Sequence, residues 1–203
     1  MIECNGCVAC KCYQGHDCSK KNDFSEINIK SRTIFDEPNI IKILKTAAEI
    51  EARHYMQWNR LEELIGFCQQ MEYKKVGIAM CVGLAREAKT LVKVLSQYFN
   101  VFSICCKNSG ISKDDYGMPH IKQDRYEATC NPIGQALILN KNQTDINIIL
   151  GLCIGHDMLF TKYSDAPVTT FAVKDRVLAH NPLAALYSGY CLKKLQASSA
   201  VSN

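Results

Sequence analysis

The stretch Ile146-Asn147-Ile148-Ile149-Leu150-Gly151-Leu152-Cys153-Ile154-Gly155-His156-Asp157 constrains this chain most. Its first seven residues form a β-branched, nearly unbroken apolar run, the pattern of a strand buried on both faces of a parallel sheet. The strand is expected to end at Leu152, which puts a thiol at its carboxyl end. Ligands of open α/β sheets bind outside the carboxyl ends of the strands, so Cys153, His156 and Asp157 fall where chemistry is normally done.

The phrase has an earlier counterpart, Val76-Gly77-Ile78-Ala79-Met80-Cys81-Val82-Gly83-Leu84. A second pair also matches, Cys130-Asn131-Pro132 and His180-Asn181-Pro182. These echoes suggest two βαβα halves related by a pseudo-twofold axis, with their first strands adjacent at the centre of the sheet. Cys81 and Cys153 would then face each other across the switch point. The exchange of Cys130 for His180 is one between the two side chains that most readily replace each other as soft metal ligands. Strands are expected at Lys75–Met80, Val101–Cys105, Ile146–Leu152 and Val168–Val173, with helical patterns between them. The fold class is therefore α/β: an open, mainly parallel four-stranded sheet with helices on both faces.

Residues 1–35 read as a separate cysteine-rich, metal-binding module. Cys4, Cys7, Cys10, Cys12 and Cys18, with His16, crowd a segment whose apolar residues are too few to offset its ordering entropy. A bound metal would supply that stability. Cys4-x2-Cys7 has knuckle spacing, and Cys12 with Cys18 could close a tetrahedral zinc site. Cys4-x2-Cys7-x2-Cys10 also opens like a bacterial ferredoxin run, although the fourth cysteine before a proline is missing. Zinc and an iron–sulfur cluster both remain open at this point. Residues 36–195 form the α/β domain. It begins with one long helix from about Asp36, the expected cap, to Gln70, with a bend near Trp58 and a stripe covering one sheet face. Cys68 lies on that stripe as packing. Residues 196–203 read as a flexible tail.

Of the remaining cysteines, Cys81, Cys105, Cys106, Cys130 and Cys153 fall on one edge, at strand ends or helix starts. Cys130 and Cys153 precede expected helices, where the dipole favours thiolate. Lys174 and Arg176 reach the same edge and could hold an anionic ligand or the charge of a cluster. His156 could act as a base oriented by Asp157, His180 could join the ligand set, and His120 sits in the long loop between Cys106 and Cys130, which reads as a lid or binding segment. Two readings of this second site follow. In one, it binds a cluster for electron or sulfur transfer with a protein partner. In the other, a catalytic thiolate at Cys153 or Cys130, with His156 and Asp157, acts on a small anionic substrate. A metal chaperone without turnover is a third reading.

Composition excludes several classes. A net charge of +4 in 203 residues, with no basic run interleaved with aromatics, does not suggest nucleic acid. No apolar run reaches the length needed to cross a bilayer. Met1-Ile2-Glu3-Cys4 does not resemble a signal peptide, so the twelve cysteines are expected in a reducing, cytoplasmic setting rather than in a disulfide framework. Gly-x-Gly-x-x-Gly, Gly-x4-Gly-Lys-Ser/Thr and Gly-x-Ser-x-Gly are all absent, which counts against dehydrogenases, NTPases and α/β-hydrolases.

The N-terminal cysteines, Tyr73–Leu84, Cys130-Asn131-Pro132, Gly151–Asp157 and Lys174-Asp175-Arg176-Val177-Leu178-Ala179-His180-Asn181-Pro182 together resemble the family called domain of unknown function 1847. The resemblance spans almost the whole chain. Members are prokaryotic and are usually labelled as metal-binding proteins. It implies metal binding at Cys4, Cys7, Cys12 and Cys18, leaving Cys10 as an extra thiol, and it implies no reaction.

Overall fold

A computed structural model describes residues 4–5, 7–8, 11–18 and 22–200 of the chain; Cys10 lies outside them. The chain divides into two compact units, residues 1–57 and 58–203. The first holds a 3-10 turn at Lys11–Gln14 and the helices α1 (Ser25–Phe35) and α2 (Pro38–His54). No residue of α1 is buried, and α2 buries Thr46 and Ile50. Asp36 follows α1 as its C-terminal cap, and Glu37, not Asp36, occupies the N-cap of α2.

The expected single helix from Asp36 to Gln70 is two helices, because α3 (Arg60–Gln70) starts afresh. Met56 takes φ 59°, which no helix interior tolerates. Asn59 then accepts from the Leu61 and Glu62 N–H groups while the Glu62 carboxylate accepts from the Asn59 N–H at 2.8 Å, a complete capping box. Trp58 packs on Gly66, where any Cβ would lie 2.4 Å from the indole ring.

The second unit is a sheet of β1 (Lys75–Met80), β2 (Asn100–Cys105), β3 (Ile146–Leu150) and β4 (Val168–Ala172), in the order β2-β1-β3-β4 with every pair parallel. The central pair is thus the first strand of each half, in the register Val76↔Ile146 to Met80↔Leu150. Parity sorts the side chains into two layers. Val76, Ile78, Ile146, Ile148 and Leu150 pack with Leu64 and Cys68 of α3 and with Leu84 and the α4 (Ala85–Leu95) residues Ala88, Leu91 and Leu95. Ala79, Cys81 and Ile149 pack on the opposite face with Ala136 and Leu139 of α5 (Pro132–Lys141) and Phe160 of α6 (His156–Tyr163).

β3 stops at Leu150, two residues before the expected end, because Gly151 turns the chain at φ 70°. After β4 come α7 (Leu183–Tyr187) and α8 (Gly189–Ala200), so helix runs past Gln196 into the segment expected to be a tail. Among the described residues, no helix is long and apolar enough to cross a membrane.

Candidate thiol site at the strand carboxyl ends

Cys81 continues the parity of Ala79 and therefore faces the α5/α6 layer. Its N–H donates to the Leu150 carbonyl at 3.1 Å, carrying the β1–β3 pairing one step past the strands. The Cys106 N–H donates to the Met80 carbonyl at 2.8 Å, which sets Cys106 beside Cys81. Gln135 of α5, fully buried, donates through Nε2 to the carbonyls of Met80 and Ile104 at 3.1 and 2.7 Å. One side chain thus ties together the ends of β1 and β2 just before their thiols.

The long loop returns Cys130 to the same place. The Asn131 N–H donates to the Cys106 carbonyl at 2.8 Å, and the Asn108 amide donates to the carbonyls of Cys105 and Asn131 at 3.0 and 2.9 Å. The loop is thereby closed at its base, and the Cys106 and Cys130 sulfurs lie 3.8 Å apart. The Val82 N–H donates to the Cys106 sulfur at 3.3 Å. The Lys107 ammonium donates to the Ala128 carbonyl and lies 4.0 Å from Glu127.

These contacts divide the protons between the two thiols. Cys106, only 2% exposed, is pushed well above the ordinary thiol range, first by its hydrogen bond to Cys130 and then by burial. With both thiols protonated the Cys130 S–H donates to the Cys106 sulfur, and once Cys130 is a thiolate the Cys106 proton holds the contact. Cys130 is brought down to about 7, first by that hydrogen bond and further by Lys107, against its own burial and the sulfurs of Cys153 and Cys81. Cys105 is raised, mainly by burial, and its sulfur accepts from the Lys107 N–H at 3.5 Å.

Across the switch point, Arg176 donates from Nη2 to the Cys153 sulfur at 3.2 Å. A tight turn holds that arginine. Asp175 Oδ1 accepts from the N–H groups of Val177 and Leu178, the Asp175 N–H donates to His180 Nδ1 at 3.1 Å, and the His180 N–H donates to the Asp175 carbonyl. Ala179 and His180 close the turn at φ 51° and 63°, an unfavourable backbone for two residues with side chains. His180 therefore braces the turn that carries Arg176. Lys174 runs past Gly151, and its ammonium lies over Gly83, where a Cβ would sit 2.9 Å from Nζ and 3.8 Å from the Cys81 sulfur.

Cys153 lies three residues before α6 rather than directly ahead of it, separated by Gly155 at φ 86°. His156 opens α6, and its imidazole is held below the usual value, first by burial, which prevails over the opposing charge of Asp157 and is helped by Lys107 and Arg176. It is neutral at neutral pH. The Asp157 carboxylate accepts from the Met158 N–H at 2.8 Å, and among the described residues no hydrogen bond joins it to the His156 ring. His120 stays within the loop, with Nδ1 3.2 Å from the Arg125 carbonyl and Nε2 2.9 Å from Asp114. Lys107, Gln135 and Asn108 were not among the expected site residues. Only Lys107 left a signal, as a cation directly after two cysteines at a strand end.

In the first unit the Cys7 N–H donates to the Cys4 carbonyl at 3.1 Å, while Cys4 and Cys12 are exposed and Cys7 and Cys18 partly buried. Among the described residues, no three His, Cys, Asp or Glu side chains converge as ligands for a metal ion. At the strand ends the sulfurs instead have protons and cations for partners.

The profile of the family described as Protein of unknown function (DUF1847) matches residues 18–171. An uncharacterized protein of Methanocaldococcus jannaschii is 53% identical over 194 residues, which cover 96% of this chain and 98% of that protein. No solved structure matches the chain.

Proposed function

We propose that this chain, which belongs to the DUF1847 family, is a thiol-based electron- or sulfur-transfer protein whose working nucleophile is Cys130. The observation that carries the reading is the Cys106–Cys130 pair, 3.8 Å apart, with Cys106 the more buried partner and Cys130, beside Lys107, brought down to about 7. A thiol with its pKa near ambient pH combines a large thiolate fraction with retained nucleophilicity. The Cys130 thiolate attacks one sulfur of a disulfide and expels the other as a thiolate. Cys106, after losing its proton to that leaving group, attacks the Cys130 sulfur and releases the second half as a thiolate, leaving a Cys106–Cys130 disulfide. The electrons go to the substrate. Such a site works in a reducing compartment such as the cytoplasm, with a redox or sulfur-transfer protein as partner.

Alkylation by iodoacetamide, followed residue by residue by mass spectrometry, tests the reading. The rate at Cys130 should rise with pH through a midpoint near 7, because only the thiolate reacts. Cys106→Ala removes the sulfur–sulfur hydrogen bond that favours a Cys130 thiolate and should move the midpoint up toward the ordinary thiol value of about 8.5. A Cys130 that labels at neutral pH as slowly as buried Cys68, whose thiol burial pushes up to about 12, would overturn the assignment.

A second reading concerns the first unit. The Cys7-to-Cys4 backbone hydrogen bond is a turn that sets two thiols at knuckle spacing, and it supports zinc or iron–sulfur binding by Cys4, Cys7, Cys12 and Cys18 once the segment closes around the metal. Protein purified without oxygen should contain zinc, or iron with sulfide, and a Cys4→Ser/Cys7→Ser variant should lose it. Equal metal content in both proteins would remove this reading.

A further inference from the structure

Three cations reach the strand-end edge, and they are not equivalent. Lys107 lies near Glu127 and donates to a carbonyl. Among the described residues, Lys174 Nζ has no hydrogen-bond or ion-pair partner, and Arg176 has only the Cys153 sulfur. The neighbouring carboxylates are engaged elsewhere, Asp175 by the N–H groups of Val177 and Leu178 and Asp157 by that of Met158. A lysine without a partner among the described residues and an arginine held only by a sulfur thus flank Cys81 and Cys153, and the Arg176 guanidinium also feels the charge of the Cys81 and Cys130 sulfurs. The lysine ammonium lies against the turn after β1, where a Cβ at position 83 would sit 2.9 Å from Nζ.

We infer that Lys174 and Arg176 form a subsite for the anionic end of a sulfane-sulfur donor of the thiosulfonate class, whose outer sulfur is delivered to Cys130. The inference rests on Cys130 being the nucleophile and adds the substrate. The Cys130 thiolate forms a bond to the outer sulfur of thiosulfate while the sulfur–sulfur bond breaks, and that electron pair leaves with sulfite. Cys130 becomes a persulfide. A thiol acceptor then takes the outer sulfur as its own persulfide and returns the Cys130 thiolate, so no external oxidant or reductant is consumed.

The cleft favours this leaving group over others. Acyl and phosphoryl transfer from ordinary esters or amides expel groups that need a proton, yet the His156 imidazole is held below its usual value and lacks a hydrogen bond to Asp157, and His180 Nδ1 is occupied by the Asp175 N–H. Sulfite leaves as a stable anion. The same two cations that hold the donor stabilise it.

The test treats reduced full-length protein, without oxygen, with thiosulfate and, separately, with methyl methanethiosulfonate, a neutral reagent attacked by the same thiolate. The expected result with thiosulfate is one sulfite released per chain and one sulfur atom of added mass on the Cys130 peptide. Lys174→Gln and Arg176→Gln should each raise the half-saturating thiosulfate concentration by roughly tenfold, and Gly83→Ala, which shifts only the flexible lysine end, should raise it by less. None should slow the neutral reagent comparably. If the neutral reagent modifies Cys130 rapidly while thiosulfate transfers no sulfur, or transfers it equally well in all three variants, the subsite is wrong and the nucleophile stands. If neither reagent modifies Cys130, both inferences fail together.

Discussion

At the scale of single residues, the centre of the sheet turns on one glycine. A Cβ on Gly77 would lie 2.0 Å from Asn147 Oδ1, and Asn147 is fully buried on the neighbouring strand. Its Oδ1 accepts from the Thr144 hydroxyl and its Nδ2 donates to Ser164, so it cannot move aside without leaving polar groups unpaired. Gly77→Ala should therefore destabilise the protein by about 2–3 kcal/mol in urea unfolding. In the Gly77→Ala/Asn147→Ala protein the worst clash is gone and only the Leu139 methyls, 2.9 and 3.0 Å away, must give, so the loss should fall short of the sum of the single losses by at least about 1 kcal/mol. Strict additivity would mean that the contact is not what makes glycine necessary there. A sequence offers the apolar run around Asn147 but not the partner that makes an asparagine tolerable within it. The pairing of Arg176 with Cys153 was hidden similarly. Both residues were expected at the edge, but their contact depends on positive φ at Ala179 and His180, neither of which is a glycine.

At the scale of elements, strands were far more legible than helix ends. β1 spans the expected Lys75–Met80, and β2 and β4 differ from expectation by one residue at one end each. Continuous apolar runs closed by cysteine or glycine leave little latitude. The break between α2 and α3 was missed because the apolar spacing continues across it, although Asn59 and Glu62 carry its signature. Asn59→Ala should lower the stability of the second unit by about 1 kcal/mol, and a thermal melt indistinguishable from the parent would show that the box is not needed. The long loop carries a pH dependence of its own. Glu127 is held below the usual carboxylate range, first by the hydrogen bond from Lys113, 2.8 Å away, and then by the Ile121 N–H. A depressed carboxylate contributes order that is complete above its unfolded pKa and lost as pH falls through the lower folded value. The Ile121 amide should accordingly lose hydrogen-exchange protection, relative to β1 amides, as the solution is acidified below that range. Protection unchanged down to acid unfolding would remove Glu127 as the organiser of the loop.

At the scale of the whole molecule, both packed layers of the sheet lie within residues 58–203. A fragment beginning at Trp58 should therefore unfold cooperatively and keep the neutral-pH alkylation of Cys130. Loss of either would show that residues 1–57 are required to complete the sheet unit. Within that unit, the central β1–β3 seam joins two βαβα halves that bring different goods to one cleft. The first brings Cys81, Cys106, Lys107 and Cys130, and the second brings Cys153, Lys174 and Arg176. A half-length ancestor could have made this cleft only by meeting its own copy across the seam, with every group present twice and each thiol obliged to serve both roles. Covalent fusion of such copies would release that obligation, since a substitution would then fall on one side alone. Cys130 and His180, at matching places before Asn-Pro, already differ in what they touch: the Cys130 sulfur lies 3.8 Å from that of Cys106, and His180 Nδ1 accepts from the Asp175 N–H in the turn that carries Arg176.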